Sequence, residues 1–197
     1  MTFAQIRAEV AARGYQYVTE DRLNVWIKQA YEWVCAQEPW PFLETETTAA
    51  APLTLSDLSQ VLFVGYEDVI LRGTDLRDIR DLDPALSETG DPSRWYLDGN
   101  TIKVWPNGTP TIYVRYLRKP PSYIDADEPL IPSAYQEVLI DGAVMRGLKD
   151  NDEYEQAAGL QGIVDSQIQA MRDGILSRNY QNPGTIVQSG LPDDYIA

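Results

Sequence analysis

Apolar positions recur at helical spacing near both ends of the chain and at strand spacing between them. Phe3, Ile6 and Val10 follow the three–four rhythm of one helix face, and Thr2 with Gln5 has the form of a capping box. Gly14 is a natural stop for this first helix. A second helix is expected from Thr19, with Val18 and Leu23 at the two staple positions. Leu23, Trp26, Ile27, Ala30, Tyr31 and Val34 then mark its buried face, and Pro39 and Pro41 end it.

From Phe42 to Tyr123 the rhythm changes to short extended runs separated by turn residues. Residues 61–64 (VLFV) read as one strand. Trp95-Tyr96-Leu97 and Ile102-Lys103-Val104-Trp105 flank Asp98-Gly99-Asn100 and predict a hairpin. Pro106-Asn107-Gly108 is a further turn, and residues 111–116 (TIYVRY) alternate as the next strand. The acid-rich stretch Gly73–Asp91 reads as a solvated loop with a short helix around Leu76–Leu82.

Helical spacing returns after Pro132. Ser133 and Gln136 form a possible capping pair, and Val138, Leu139, Gly142, Ala143, Met145 and Arg146 run to a stop near Asp150-Asn151. The last helix starts near Asp152 and Glu155 and carries Val164, Ile168, Met171 and Ile175 on one side. The short connection predicts antiparallel neighbours. Gly142, Gly147, Gly159 and Gly162 each cost about 1 kcal/mol within a helix relative to alanine, and close approach of helices is the expected offset. Residues 179–197 (NYQNPGTIVQSGLPDDYIA) lack helical period yet remain rich in apolar residues. Two readings stand, a frayed terminus or an arm that orders by packing on a partner.

The pattern therefore predicts an α+β, mainly α chain. A bundle of about four helices is drawn from residues 1–41 and 132–178, with a β-rich insertion at 42–123. Together they form one domain over 1–178, followed by an extended C-terminal arm at 179–197.

Composition narrows the chemistry. The 197 residues hold 30 acids and 16 bases, a formal charge of −14, which disfavours broad nucleic-acid or anionic-lipid binding. The sequence has no apolar run of membrane-spanning length, and its N-terminal ten residues lack the basic start and apolar stretch of a signal peptide. Histidine is absent and Cys35 is the only cysteine. Ser–His and Cys–His pairs, His-containing zinc sites and an internal disulfide are thereby removed. Cys35, between Val34 and Ala36, reads as a packed thiol.

No phosphate-cradling glycine loop occurs. Asp125, Asp127 and Glu128 lack the turn glycine and distal Glu of a calcium loop, so a solvated turn before Pro129 is the better reading. Asp150, Asp152, Glu153 and Glu155 suit a helix N-terminus. The densest basic spot is Arg115, Arg118 and Lys119 among Tyr113, Tyr116 and Tyr123. It is either a nucleic-acid contact or the end of an edge strand paired with local acids, the second being favoured. Trp26 reads as core, while Trp40 and Trp95 are candidate interface anchors or core residues in equal measure. No catalytic, metal-binding or cofactor-binding residue is assigned.

The order of elements, with DRLNVWIKQAYEWV, DPSRWYLDGNTIKVWPNG, YVRYLRKPPSY, PLIPSAYQEVLIDGAVMRG and DEYEQA in succession, resembles the head–tail adaptor (connector) proteins of tailed bacteriophages over about residues 1–175. The resemblance implies a non-enzymatic structural protein of the virion neck, assembled in the host bacterial cytoplasm. It implies a ring, commonly of twelve copies, beneath the portal protein, which extends the channel for double-stranded DNA and offers a docking surface to the next tail component. It also implies a portal-docking arm, for which Tyr180, Ile186, Val187, Leu191 and Tyr195 are the candidate anchors. A negative channel wall is expected to let DNA slide without sequence readout, because DNA carries one charge per about 1.7 Å. The competing readings are a stopper or tail-completion protein of the same neck, and an acidic DNA-mimic regulator of a host protein.

Overall fold

The computed structural model describes residues 1–121 and 125–181, with the backbone alone over 176–181. The described residues form a mixed α+β fold with five helices and two small sheets. It divides into two units. The first combines residues 3–30 with the segment from 132 onward, and the second comprises residues 31–131.

In the first unit, α1 (Phe3–Val10) buries Phe3, Ile6 and Val10 and passes into a π-helical turn, Ala11–Tyr15. Gly14 sits there at φ +107°. Helix α2 (Glu20–Cys35) begins after Thr19, whose carbonyl accepts from the amides of Arg22 and Leu23. Its predicted apolar face is buried throughout: Leu23, Trp26, Ile27, Ala30, Tyr31 and Val34 are each at most 3 % exposed. The stretch after Pro132 opens as a 3-10 turn (Ser133–Tyr135) before α4 (Glu137–Asp150), and the Gln136 side chain accepts from the Met1 amino group at 2.7 Å. Three residues connect α4 to α5 (Tyr154–Gln181), which packs back on it as predicted.

The close-approach explanation holds for two of the four helical glycines. A Cβ on Gly142 would stand 3.1 Å from that of Ala30, and one on Gly147 only 2.8 Å from the Trp26 ring. Around Gly159 and Gly162 a Cβ would meet nothing within 4 Å. Those two lie on the exposed side of α5, so helix packing within the described chain does not account for them.

The second unit is a pair of facing sheets. Strands β1 (Glu44–Ala50), β3 (Leu58–Tyr66), β4 (Val69–Ile70) and β8 (Thr111–Arg118) form one sheet in the order β1-β8-β3-β4, all antiparallel. Strands β2 (Leu53–Thr54), β5 (Arg72–Gly73), β6 (Arg94–Asp98) and β7 (Thr101–Trp105) form the other, in the order β2-β7-β6-β5. Val64, Ile112, Val114 and Tyr116 of the first sheet meet Ile102 and Val104 of the second in one buried cluster. The predicted hairpin is β6–β7. Asp98 pairs with Thr101, leaving Gly99-Asn100 as the connection, and Gly99 takes the left-handed φ of +62° that such a two-residue turn demands. Helix α3 (Leu76–Leu82) forms over the predicted residues. It caps with Asp75, whose carboxylate accepts from the Arg77 amide at 2.9 Å, and it covers the outer face of the second sheet by setting Ile79 toward β6.

The β-containing unit takes in residues 31–131, with its strands running from Glu44 to Arg118. The last turn of α2 is tied into it: the Tyr31 hydroxyl accepts from the Leu130 amide at 3.2 Å, and the Trp40 indole donates to the Val34 carbonyl at 2.8 Å. Helix α5 continues to Gln181, so residues 179–181, expected in the arm, are helical.

Candidate interaction surfaces

The candidate features of this chain are surfaces and charge patterns. Residues 31–131 hold 17 of the 30 acids but only 8 of the 16 bases, so the negative excess is concentrated in the β-containing unit. Three of the eight bases there are engaged by named partners. Arg115 forms an ion pair with Glu44 and lies 3.7 Å from Glu46, and these carboxylates push its pKa further up. Lys103 binds Asp98 at 2.6 Å, which holds the aspartate below the usual carboxylate range. Arg94 lies over the Trp105 ring at 5.7 Å.

Within the basic spot at Arg115, Arg118 and Lys119, Arg115 takes the local-pairing reading, with one correction. Strand β8 is interior to its sheet, flanked by β1 and β3, and is not an edge. The sequence hid this because β1, ETETTAA, has no apolar run to announce a strand; its residues are held by seven register pairs to β8. Tyr113 stands beside Glu46 and accepts a ring contact from Phe63, with centroids 5.7 Å apart and planes at 67°. Tyr116 donates to Asp57 at 3.2 Å.

Of the two candidate aromatic anchors, Trp40 needs correction. It is fully buried, stacked on Phe42 at 5.7 Å with its N–H satisfied by Val34. Its place between Pro39 and Pro41 turns the chain and plugs the core, so it presents no surface to a partner. Trp95 is half-buried against the sandwich core and lies across Gly73, where a Cβ would stand 2.9 Å from its ring. Tyr180 falls in the last turn of α5. The other arm candidates, Ile186, Val187, Leu191 and Tyr195, lie outside the described residues, as does Tyr123.

Four further polar groups have structural partners or burial. Asp141 on α4 is buried and is held by Arg13, which also lies 3.2 Å from Glu137, and by the Gln167 amide at 2.7 Å. Asp150, the last residue of α4, accepts from the Trp26 indole at 2.6 Å and pairs with Arg22, so it ties α4 to α2 and does not open α5. Asp83 organises the loop after α3, accepting from the Glu88 amide at 2.8 Å and the Trp105 indole at 3.4 Å, and these donors hold its carboxyl below the ordinary value. Cys35 is buried, and desolvation pushes its thiol up to about 12. Among the described residues no group of three or more His, Cys, Asp or Glu is arranged to hold a metal ion, and no helix is long and apolar enough to cross a membrane.

Sequence reasoning missed the exposure of the β3–β4 hairpin. Leu62, Val69 and Ile70 are 41, 60 and 70 % exposed there, with Val69 and Ile70, consecutive on β4, on opposite faces of the sheet. The available signal was the isolated pair Val69-Ile70 beyond Glu67-Asp68, too short to be read as a strand.

No curated protein matches this chain at a significant level. The family model described as SU10 adaptor protein matches residues 1–187, which takes in both units and the whole of α5. On that match the chain belongs to the SU10 adaptor protein family, a family of phage head–tail adaptors.

Proposed function

We propose that the chain is a non-enzymatic building block of the virion neck that closes into a ring beneath the portal, commonly of twelve copies. The family match over residues 1–187 carries this reading. The ring would extend the channel for packaged double-stranded DNA and present a surface to the tail. A heterologous contact repeated around a closed rotation needs only one pair of complementary patches on each copy. The net charge of −14 supports a conduit that repels the DNA backbone and lets it pass without sequence readout; an assembled ring with a strongly basic inner wall would contradict that.

The segment beyond α5 is the portal-docking arm in this reading, with Ile186, Val187, Leu191 and Tyr195 as anchors and Tyr180 at its root. Residues 1–178 then act as one adaptor domain. The test is light scattering of the purified chain with and without its portal. A portal-dependent complex near a dozen copies is expected, and failure of the two to associate would reject the reading. Truncation after Gln181, chosen because the helix runs that far, should abolish attachment and leave the far-UV spectrum intact. Unchanged attachment would remove the arm from the proposal.

A further inference from the structure

The two outer faces of the sandwich are finished differently. Over the β2-β7-β6-β5 sheet the chain supplies its own cover, α3, and both Ile79 and Tyr96 are buried. Over the β1-β8-β3-β4 sheet an apolar strip is left open. Register places Ile70, Gly65, Tyr113 and Thr48 side by side across all four strands, and Phe63, Arg115 and Glu46 across the next row. Directly opposed residues of antiparallel strands share a face, so Ile70, Phe63 and Tyr113 lie together on the outer side. A Cβ at Gly65 would stand 3.1 Å from the Phe63 ring; the glycine lets that ring lie low against the strand and lean on Tyr113. Ile70 is 70 % exposed, and as a β-branched residue on a strand it loses little rotamer freedom when covered.

The rim of this strip identifies its occupant. Glu44 and Glu46 border it on one side, and Glu67 and Asp68, in the β3–β4 turn, on the other. Arg115, the cation within it, is already neutralised by Glu44 and Glu46. Glu67 holds a left-handed φ of +50°, a conformation costing a non-glycine residue about 1 kcal/mol, so the turn keeps its acids in place at an energetic expense. A second copy is a poor occupant, because the unit itself carries 17 acids against 8 bases.

We propose that this outer face, along Ile70, Phe63 and Tyr113, docks an apolar segment with cationic flanks belonging to a different protein, on the tail side of the neck. The inference rests on the adaptor reading and deepens it: the arm takes the portal, and this face takes the next component.

The test replaces the chain in its phage with Ile70→Asp, and separately with Glu67→Lys/Asp68→Lys. DNA-filled heads are then scored for bound adaptor and for attached tails. Both variants are expected to remain on heads at the unaltered level. Tailed particles should fall at least about tenfold for Ile70→Asp, in keeping with loss of a central apolar anchor, and less steeply for the double charge reversal. Wild-type numbers of tails with Ile70→Asp would overturn the proposal. So would loss of that variant from the heads while its melting temperature is unchanged, since the face would then serve the portal or a sister copy. If Ile70→Asp fails to fold, Ile70→Thr, which keeps the branched shape, is read by the same criteria. Absence of the unaltered chain from purified necks would instead defeat the adaptor reading, and this inference with it.

Discussion

Asp141 offers the sharpest test of how the helical unit is held. Its carboxylate is 4 % exposed as a residue and has two partners from different elements: Arg13 in the π-helical turn and Gln167 on α5. Replacing Asp141 with Ala removes two charge-assisted bonds together, the Arg13 ion pair and the bond from the Gln167 amide. It also strands the Gln167 amide, whose Oε1 is buried without a partner already. Breaking a fully buried ion pair costs about 3–5 kcal/mol. Arg13, however, is 38 % exposed in its side chain and keeps Glu137 at 3.2 Å, so solvent and the second carboxylate recover part of this. The expected loss is about 2–3 kcal/mol, which for a chain of this size lowers the melting temperature by about 4–12 °C. Urea denaturation followed by far-UV circular dichroism measures it. The cycle of Arg13→Ala, Asp141→Ala and the double variant should return a coupling of about 1–2 kcal/mol. Asp141→Asn, which still accepts from Arg13, should lose less than Asp141→Ala. A change within about 0.5 kcal/mol for Asp141→Ala, the range of an uninvolved surface site, would refute the account.

The glycines give paired expectations by the same denaturation assay. Gly147→Ala should destabilise by about 1–3 kcal/mol because its Cβ would press on Trp26 and Tyr15, whereas Gly159→Ala and Gly162→Ala should each stabilise the isolated chain by up to about 1 kcal/mol. Ile79→Ala, at 0 % exposure, should cost about 2–4 kcal/mol and raise hydrogen exchange across β6 as α3 loosens. Asp83 has a folded pKa below its unfolded one, so its contribution is present above the ordinary carboxylate range and is lost as pH falls through the depressed value. Protection of the Glu88 amide should decay over that acid window, and Asp83→Asn should show no such step. Cys35, with its thiol raised to about 12, should resist alkylation at pH 8 until the chain is unfolded, which a mass-shift assay in urea would detect.

What the sequence disclosed and what it withheld divide along one physical line. Elements whose burial is one-sided and whose period is local were legible: the face of α2 from Leu23 to Val34, the β6–β7 hairpin around Gly99, and α3 over Leu76–Leu82 each satisfy their own rule within a dozen residues. Elements whose identity depends on a distant strand were not. ETETTAA becomes β1 because β8, some seventy residues later, offers it seven partners, and its threonines are paired far more than they are buried. Trp40 stayed open between core and interface for a related reason, since two flanking prolines look the same in sequence whether the turn they make faces inward or outward. The open strip on the β1-β8-β3-β4 sheet is a stronger case. Ile70, Phe63 and Tyr113 come from three strands, and no window of sequence holds them together. For an adaptor that is the expected outcome. A catalytic motif is constrained by reacting atoms and tends to leave a short signature, whereas a docking face is constrained only by the shape and charge of what it meets. A docking face of the kind proposed here is written across strands, and mutation of one residue in such a face tests the assembly more directly than any motif does.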